Sequence, residues 1–229
     1  MEFKYDNDGN IKLKIIFIGD SNTGKTNLIN IIRNIEFNPF SPSTNIVSIK
    51  SVKMEINNKK INLYLFDMMG NERYKNLTQL YLSNAMIIIL VYNITNKDSF
   101  DYLKGYWTQE IKDKVGNNII ISLLGNFNDL SEKKVVSDNE AKEYAKSIGA
   151  KWGLTSSKVE RNKFLDYFKD IINEYIQLVE NKEIENNISY ESLFFLTKTT
   201  TIKKYTETES LANKFIQSHY DIIKKYLSY

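Results

Sequence analysis

The run Gly19, Asp20, Ser21, Asn22, Thr23, Gly24, Lys25, Thr26 constrains this chain more than any other feature. It fits the pattern G-x-x-x-x-G-K-[ST], with the strand-like Ile15, Ile16, Phe17, Ile18 before it and a helix-like run over 25–35 after it. That context is what a phosphate-binding loop requires. Glycines let the backbone curl so that several N–H groups point at one anion, and the helix N-terminus adds partial positive charge at the same spot. Lys25 reaches the outer phosphates of a nucleotide, and the Thr26 hydroxyl is placed to ligate magnesium.

The base is addressed further along. Asn126, Phe127, Asn128 and Asp129 follow the apolar run 119–124. An Asn-x-x-Asp at such a strand end suits guanine, whose N1–H and exocyclic amine pair with one carboxylate. Adenine presents an acceptor there and leaves Asp129 unpaired, which a buried site penalises. Thr155, Ser156, Ser157 and Lys158 supply a second wall for the base. Between these stations, Asp67 closes the apolar run 61–66 in a D-x-x-G with Gly70. The aspartate holds magnesium through water, and the glycine N–H faces the terminal phosphate. Thr44 lies in a loop with both prolines of the chain, Pro39 and Pro42. Such a loop is neither a central strand nor mid-helix, and its threonine completes the magnesium shell. Phe37 reads two ways, as a cover on the edge of the base or as a core residue at the helix exit.

Hydrophobic periodicity predicts strands at Ile11–Ile18, 46–56, 61–66, 86–92, 119–124 and Lys151–Leu154. Helices are predicted over 25–35, 74–83, 99–114, 137–148 and Arg161–Glu180. Asn57 and Asn58 read as a hairpin turn. Continuous apolar strands separated by helices give an α/β fold, a six-stranded, mainly parallel sheet covered on both faces. Ligand loops then sit at the carboxyl ends of the strands, where the motifs above all fall.

At this point about residues 10–180 resemble a Ras-superfamily small GTPase of the Rab branch. Residues 19–26 resemble the loop GDSGVGKT, and 67–74 resemble DTAGQERF. Residues 91–96 resemble VYDITN, 125–130 resemble GNKSDL, and 134–152 resemble RVVSEEEAKEFAKEIGAKF. Segments 74–78 and 81–85 resemble the stretch around the family's second switch, and the spacing from Lys25 to Phe37 and Thr44 is the family's. The resemblance implies a P-loop NTPase G domain over 11–180, with a lead at 1–10 and a helical extension at 181–229. It implies GTP and GDP as ligands with Mg2+ held by Thr26, Thr44 and Asp67, the last through water. Lys25, Thr44, Gly70 and Asn71 take the catalytic positions. Two switch loops are ordered by the γ-phosphate and released after hydrolysis. Effectors, exchange factors and GTPase-activating proteins are expected at 36–50 and 67–85, in vesicle traffic.

Several positions depart from the family pattern. Asn71 stands where a water-positioning Gln is usual. Its side chain is shorter by about one C–C bond, ~1.5 Å, and misplacing an orienting group by that much costs roughly a hundredfold in rate. Slow hydrolysis is therefore expected. Met68 and Met69 replace a small Thr-Ala pair and are read as gap fillers. Phe127 replaces the lysine that lies over the base, and Asn22 replaces the glycine that this lysine meets. Stacking of Phe127 on the base, local bonding by Asn22 and faster nucleotide exchange are expected. The alternative is a hydrolysis-deficient, GTP-binding scaffold working through its C-terminal helix. A P-loop kinase is disfavoured, because no lid or arginine-rich acceptor segment is visible.

The 229 residues contain no cysteine, so thioether lipidation and disulfides are not expected, and a reducing compartment suits the chain. Glu2 excludes N-myristoylation, and the charged N-terminus is no signal peptide. A net charge of +3 does not point to nucleic acid. The expected location is cytoplasmic, peripheral on endomembranes, with membrane contact made without prenylation. Residues 206–226 predict an amphipathic helix opened by a Thr206–Glu209 capping box. It docks on the domain, packs on a partner or lies on a membrane. His219, the only histidine, is read as structural.

Overall fold

The computed structural model describes residues 3–40, 44, 47–70, 81–115 and 119–181. Asn71, most of the predicted helix 74–83, and the extension from 182 with its amphipathic helix and His219 lie outside the described residues.

Strand β1 (Ile11–Ile18) is central because its second half is apolar on both faces. It pairs in parallel with β3 (Lys59–Asp67) on one side and β4 (Ile87–Asn93) on the other. Strand β2 (Ser48–Ile56) runs antiparallel beside β3, while β5 (Ile120–Asn126) and β6 (Lys151–Leu154) continue in parallel beyond β4. The six-stranded order is β2-β3-β1-β4-β5-β6. Asn57 and Asn58 both have positive φ, 49° and 62°. Those are the dihedrals of a two-residue turn whose twist matches the strands it joins, as the sequence predicts.

Alternation along β1 divides the core in two. Leu13, Ile15 and Phe17 face α1 (Lys25–Ile32) and α5 (Arg161–Glu180), where they meet Leu28, Ile29, Phe164, Phe168 and Ile172. Ile16 and Ile18 face the other layer and pack with Met68, Met69, Leu82, Phe100, Leu103 and Ala141. That layer is built from α2 (Lys97–Tyr102), α3 (Thr108–Val115) and α4 (Asp138–Ser147). In α5 the buried Phe164, Phe168, Ile171, Ile172, Tyr175, Ile176 and Val179 recur at helical spacing and form one stripe.

Several boundaries differ from the sequence reading. Helix α1 ends at Ile32, not 35, because Asn34 turns left-handed at φ 59°. Arg161 then donates to the Ile31 and Ile35 carbonyls and to Asn34 Oδ1, taking up the acceptors at the helix end. Strand β2 is described from Ser48, and its predicted start at 46 lies outside the described residues. The helix expected over 99–114 starts at Lys97 and passes through a π turn, Leu103–Trp107. There the Thr108 hydroxyl donates to the Lys104 carbonyl at 3.1 Å and the Tyr144 hydroxyl donates to the Leu103 carbonyl at 3.1 Å. Side-chain oxygens inserted into the ladder open the turn.

The lead at 3–10 folds onto the sheet. Tyr5 bridges Ile11, and the Asp6 carboxylate accepts from the Asp8 and Asn10 amides, the Asn10 side chain and Asn62 on β3. Burial raises the Asp6 pKa, but these hydrogen bonds outweigh it and bring it from 3.8 to about 2.

Candidate functional site

The site forms at the carboxyl ends of β1, β3 and β5. Between β1 and α1 the chain makes a loop that only small residues permit. A Cβ on Gly19 would lie 2.1 Å from the Val91 carbonyl oxygen, and one on Gly24 would lie 2.1 Å from Asn126 Nδ2. Gly24 (φ 89°) precedes α1 without a side-chain cap, and the first turn carries no acidic residue. The amide hydrogens there are left for an anion. Thr23 Oγ1 donates to the Asp20 carbonyl at 2.9 Å, and Ser21 N–H donates to Asp20 Oδ1 at 2.6 Å, which tightens the curl.

Lys25 is 5% exposed, and its ammonium donates to the Gly19 and Asp20 carbonyls at 2.9 and 2.8 Å. Burial pushes its pKa down to about 8, opposed by Asp67 and Asp20. The cation therefore lies inside the loop that curls around the anion position.

Three residues far apart in sequence converge beside it. Thr26 Oγ1 donates to Asp67 Oδ2 at 2.7 Å, Thr44 Oγ1 lies 3.0 Å from Thr26 Oγ1, and Thr44 reaches Asp67 Oδ2 at 3.3 Å. Burial raises the Asp67 pKa, countered by the Thr26 hydrogen bond and Lys25. Asp67 Oδ1 is buried and has no hydrogen-bond partner. Two hydroxyls and a carboxylate with an unmatched buried oxygen are a hard donor set that fits Mg2+. Among the described residues no group of three or more His, Cys, Asp or Glu gathers to hold a metal.

Gly70 abuts the loop directly, since a Cβ there would lie 2.2 Å from the Ser21 amide nitrogen. Met68 and Met69, between Asp67 and Gly70, are buried in the second core layer. They fill the core, as the sequence reading held. Phe37 is half-buried and belongs to neither core cluster.

The base-side loops are stitched together by side chains. The fully buried Asn126 carboxamide donates to the Thr23 carbonyl at 3.0 Å and to Ser157 Oγ at 3.3 Å, and accepts from the Ser157 amide at 2.9 Å. Ser156 Oγ donates to Asp129 Oδ1 at 2.6 Å and accepts from the amides of Lys158 and Val159. Asn128 N–H donates to the Thr155 carbonyl and its side chain to Glu160. The Asp129 carboxylate is exposed and oriented, while Asn126 clasps two loops, one before α1 and one after β6. Phe127 is left-handed at φ 69°, an unusual conformation for an aromatic residue. Its half-buried ring packs against the second core layer. Asn22 is exposed at φ 61°; the local hydrogen bond expected of it is not seen among the described residues, and what it supplies is the left-handed turn.

The Asn126–Thr23 bond and the Arg161 cap on α1 went unread in the sequence. Both acceptors are backbone carbonyls, which carry no residue signature. The Ser157 hydroxyl was legible as part of the second wall, though not as a partner of Asn126.

The model of the Ras family matches residues 14–177 of this chain. GTP-binding protein ypt3 of Schizosaccharomyces pombe is 33% identical over 172 residues, 75% of this chain and 79% of the relative. Ras-related protein Rab-21 of Homo sapiens is 36% identical over 162 residues, covering 69% of this chain and 72% of that protein. Ras-related protein Rab11C of Nicotiana tabacum is 32% identical over 171 residues, with 75% and 76% covered.

Proposed function

The chain belongs to the Ras family as a Rab-like small GTP-binding protein, and from that premise we propose that it is a GTP/GDP switch with slow intrinsic hydrolysis, acting in vesicle traffic. The observation that carries the reading is the meeting of Thr26, Thr44 and Asp67 within 3.3 Å. It joins the phosphate-binding helix, the loop of Thr44 and the end of β3 at one point. A metal bound there supplies charge that neutralises phosphate oxygens.

Each residue then has a role in this reading. Lys25 holds the β- and γ-phosphates, and the amides at the start of α1 cradle them. Thr26 and Thr44 ligate Mg2+, with Asp67 behind water. Gly70 senses the γ-phosphate through its N–H, since its backbone lies on the loop at Ser21. Asp129 reads guanine, held by Ser156. Asn126 and Ser157 hold the base-side and phosphate-side loops in register, and Lys158 backs the base. Asn71 orients the attacking water with reduced reach.

Effectors, exchange factors and activating proteins meet the chain at 36–50 and 67–85. An activating protein that supplies a positive charge raises turnover. The location is cytoplasmic and peripheral on endomembranes. No helix among the described residues is long and apolar enough to cross a membrane.

Single-turnover hydrolysis of bound GTP, with GDP release followed on the same magnesium-loaded sample, tests the reading. Slow but measurable hydrolysis with retained GDP supports a cycling switch. Tight GTP binding without hydrolysis would favour the scaffold alternative, in which the C-terminal helix carries the function.

A further inference from the structure

The Asn126 carboxamide has two hydrogens on Nδ2 to donate, and the protein takes both. One goes to the Thr23 carbonyl at 3.0 Å and the other to Ser157 Oγ at 3.3 Å. The Ser157 amide donates to Oδ1 at 2.9 Å, which fixes the orientation of the carboxamide and holds Nδ2 toward the hydroxyl. Both residues are buried, Asn126 at 0% and Ser157 at 6% exposed. The pair lies against the phosphate-binding loop, since a Cβ on Gly24 would sit 2.1 Å from Asn126 Nδ2 and 3.6 Å from Ser157 Oγ. Neighbouring donors of the same wall are committed elsewhere. The amides of Lys158 and Val159 donate to Ser156 Oγ, and the Thr155 amide donates to the Gly125 carbonyl. Thr155 Oγ1 has no partner but is enclosed, in a residue 1% exposed.

Guanine presents two kinds of edge to such a wall. Its N1–H and amine are donors and suit Asp129, while N7 is an acceptor and needs a donor. N7 belongs to the five-membered ring that carries the ribose and phosphates. The group tied to the phosphate-binding loop therefore meets it, and that group is Asn126, through Thr23. We propose that the Ser157 hydroxyl is an intramolecular competitor for the second Asn126 hydrogen, and that this competition speeds release of the bound guanine nucleotide. The proposal rests on the reading of the site as a guanine-nucleotide switch and names a residue that sets its exchange rate. Bond lengths decide which contact yields. At 3.3 Å the bond to Ser157 is longer than the ordinary N–H···O range, which ends at about 3.2 Å, whereas the bond to Thr23 at 3.0 Å is inside it. The base takes the hydrogen from Ser157 while the bond to Thr23 stays. Contact with N7 then exchanges one hydrogen bond for another, and its net gain is small.

The test is nucleotide dissociation from the full chain in magnesium, with ribose-labelled fluorescent GDP chased by excess unlabelled GDP. The second probe is 7-deaza-GDP labelled in the same way, in which a C–H replaces N7. Ser157→Ala removes the acceptor, and Ser157→Cys fills the same space with a sulfur that accepts weakly. Both variants release GDP roughly three- to tenfold more slowly than wild type, the worth of one neutral hydrogen bond. Both release 7-deaza-GDP at the wild-type rate. This direction separates competition from a structural role, because loss of a merely structural bond loosens the wall and speeds release of both nucleotides. Unchanged or faster GDP release overturns the proposal and leaves the switch reading standing, since the nucleotide is still bound. Equal slowing with 7-deaza-GDP also overturns it, as the effect then does not pass through N7. A wild-type chain that retains neither nucleotide in magnesium overturns the switch reading and the proposal with it.

Discussion

At Asp67 the phosphate-binding helix, the loop of Thr44 and the end of β3 share one carboxylate. Its Oδ2 serves Thr26 and Thr44, and its Oδ1 is buried without a partner. In the proposed reading, Asp67→Ala removes the group behind the hydroxyls that would bind the metal. Loss of such an outer partner weakens metal binding about 10- to 100-fold. GDP should dissociate correspondingly faster in magnesium, and adding EDTA should then accelerate release little further; a dissociation rate equal to wild type would remove Asp67 from the metal site. In the proposed switch reading, Asn71 bears on rate rather than affinity. Asn71→Gln restores the missing methylene and is expected to raise single-turnover hydrolysis by up to roughly a hundredfold, with GTP affinity unchanged. No gain would mean that reach is not what limits the step. At this scale the sequence was highly legible. Gly19, Gly24, Lys25, Thr26, Thr44 and Asp67 were each singled out by residue type, a small residue, a cation, a hydroxyl or a carboxylate, and the structure brings them together. Phe127 was less so, since its left-handed backbone and core-facing ring depend on what surrounds it.

Elements position these groups through contacts that cross long stretches of sequence. Asn126, at the end of β5, is joined to the loop before α1 and to the loop after β6. Asn126→Ala leaves the Thr23 carbonyl and the Ser157 amide unpaired, a cost of about 1–3 kcal/mol for a buried group. Urea denaturation of the GDP-bound protein should show that loss together with faster GDP release. Loss of stability with release unchanged would confine the clasp to a folding role. The turn at 3–10 gives a pH-dependent contrast. The folded Asp6 pKa, about 2, lies below the unfolded value of 3.8. Its contribution is therefore fully present above the unfolded value and fades as pH falls through the folded one. The difference in Tm between wild type and Asp6→Ala should be constant above about pH 5 and close toward about pH 2. A difference that persists undiminished at the acid end would show that the carboxylate charge is not what holds the turn. Helices and strands were located from periodicity, but their ends were less legible. Arg161 closing α1 and the Thr108 and Tyr144 hydroxyls opening the π turn are tertiary contacts.

For the whole molecule, the sheet keeps the two core layers apart and ties each to a different part of the site. The layer with α1 and α5 supports the phosphate loop through Phe17, Leu28 and Phe168. The layer with Met68, Met69 and Phe100 supports the loop that carries Gly70. Phe168→Ala opens a cavity at the centre of the first layer and should cost about 3–5 kcal/mol in urea denaturation, with the slope m unchanged; a cost under about 1 kcal/mol would place Phe168 outside the supporting core. The sequence by itself determined the family and the α/β layering. Both are carried by local patterns: short motifs with fixed residue types, and a hydrophobic period that switches between strand and helix. Only the tertiary structure decided which groups meet. Thr44 meets Asp67, Asn126 finds the Thr23 carbonyl 103 residues away, and Arg161 finds the end of α1. These contacts depend on the order of strands in the sheet and on backbone carbonyls, which every residue has and no residue type announces.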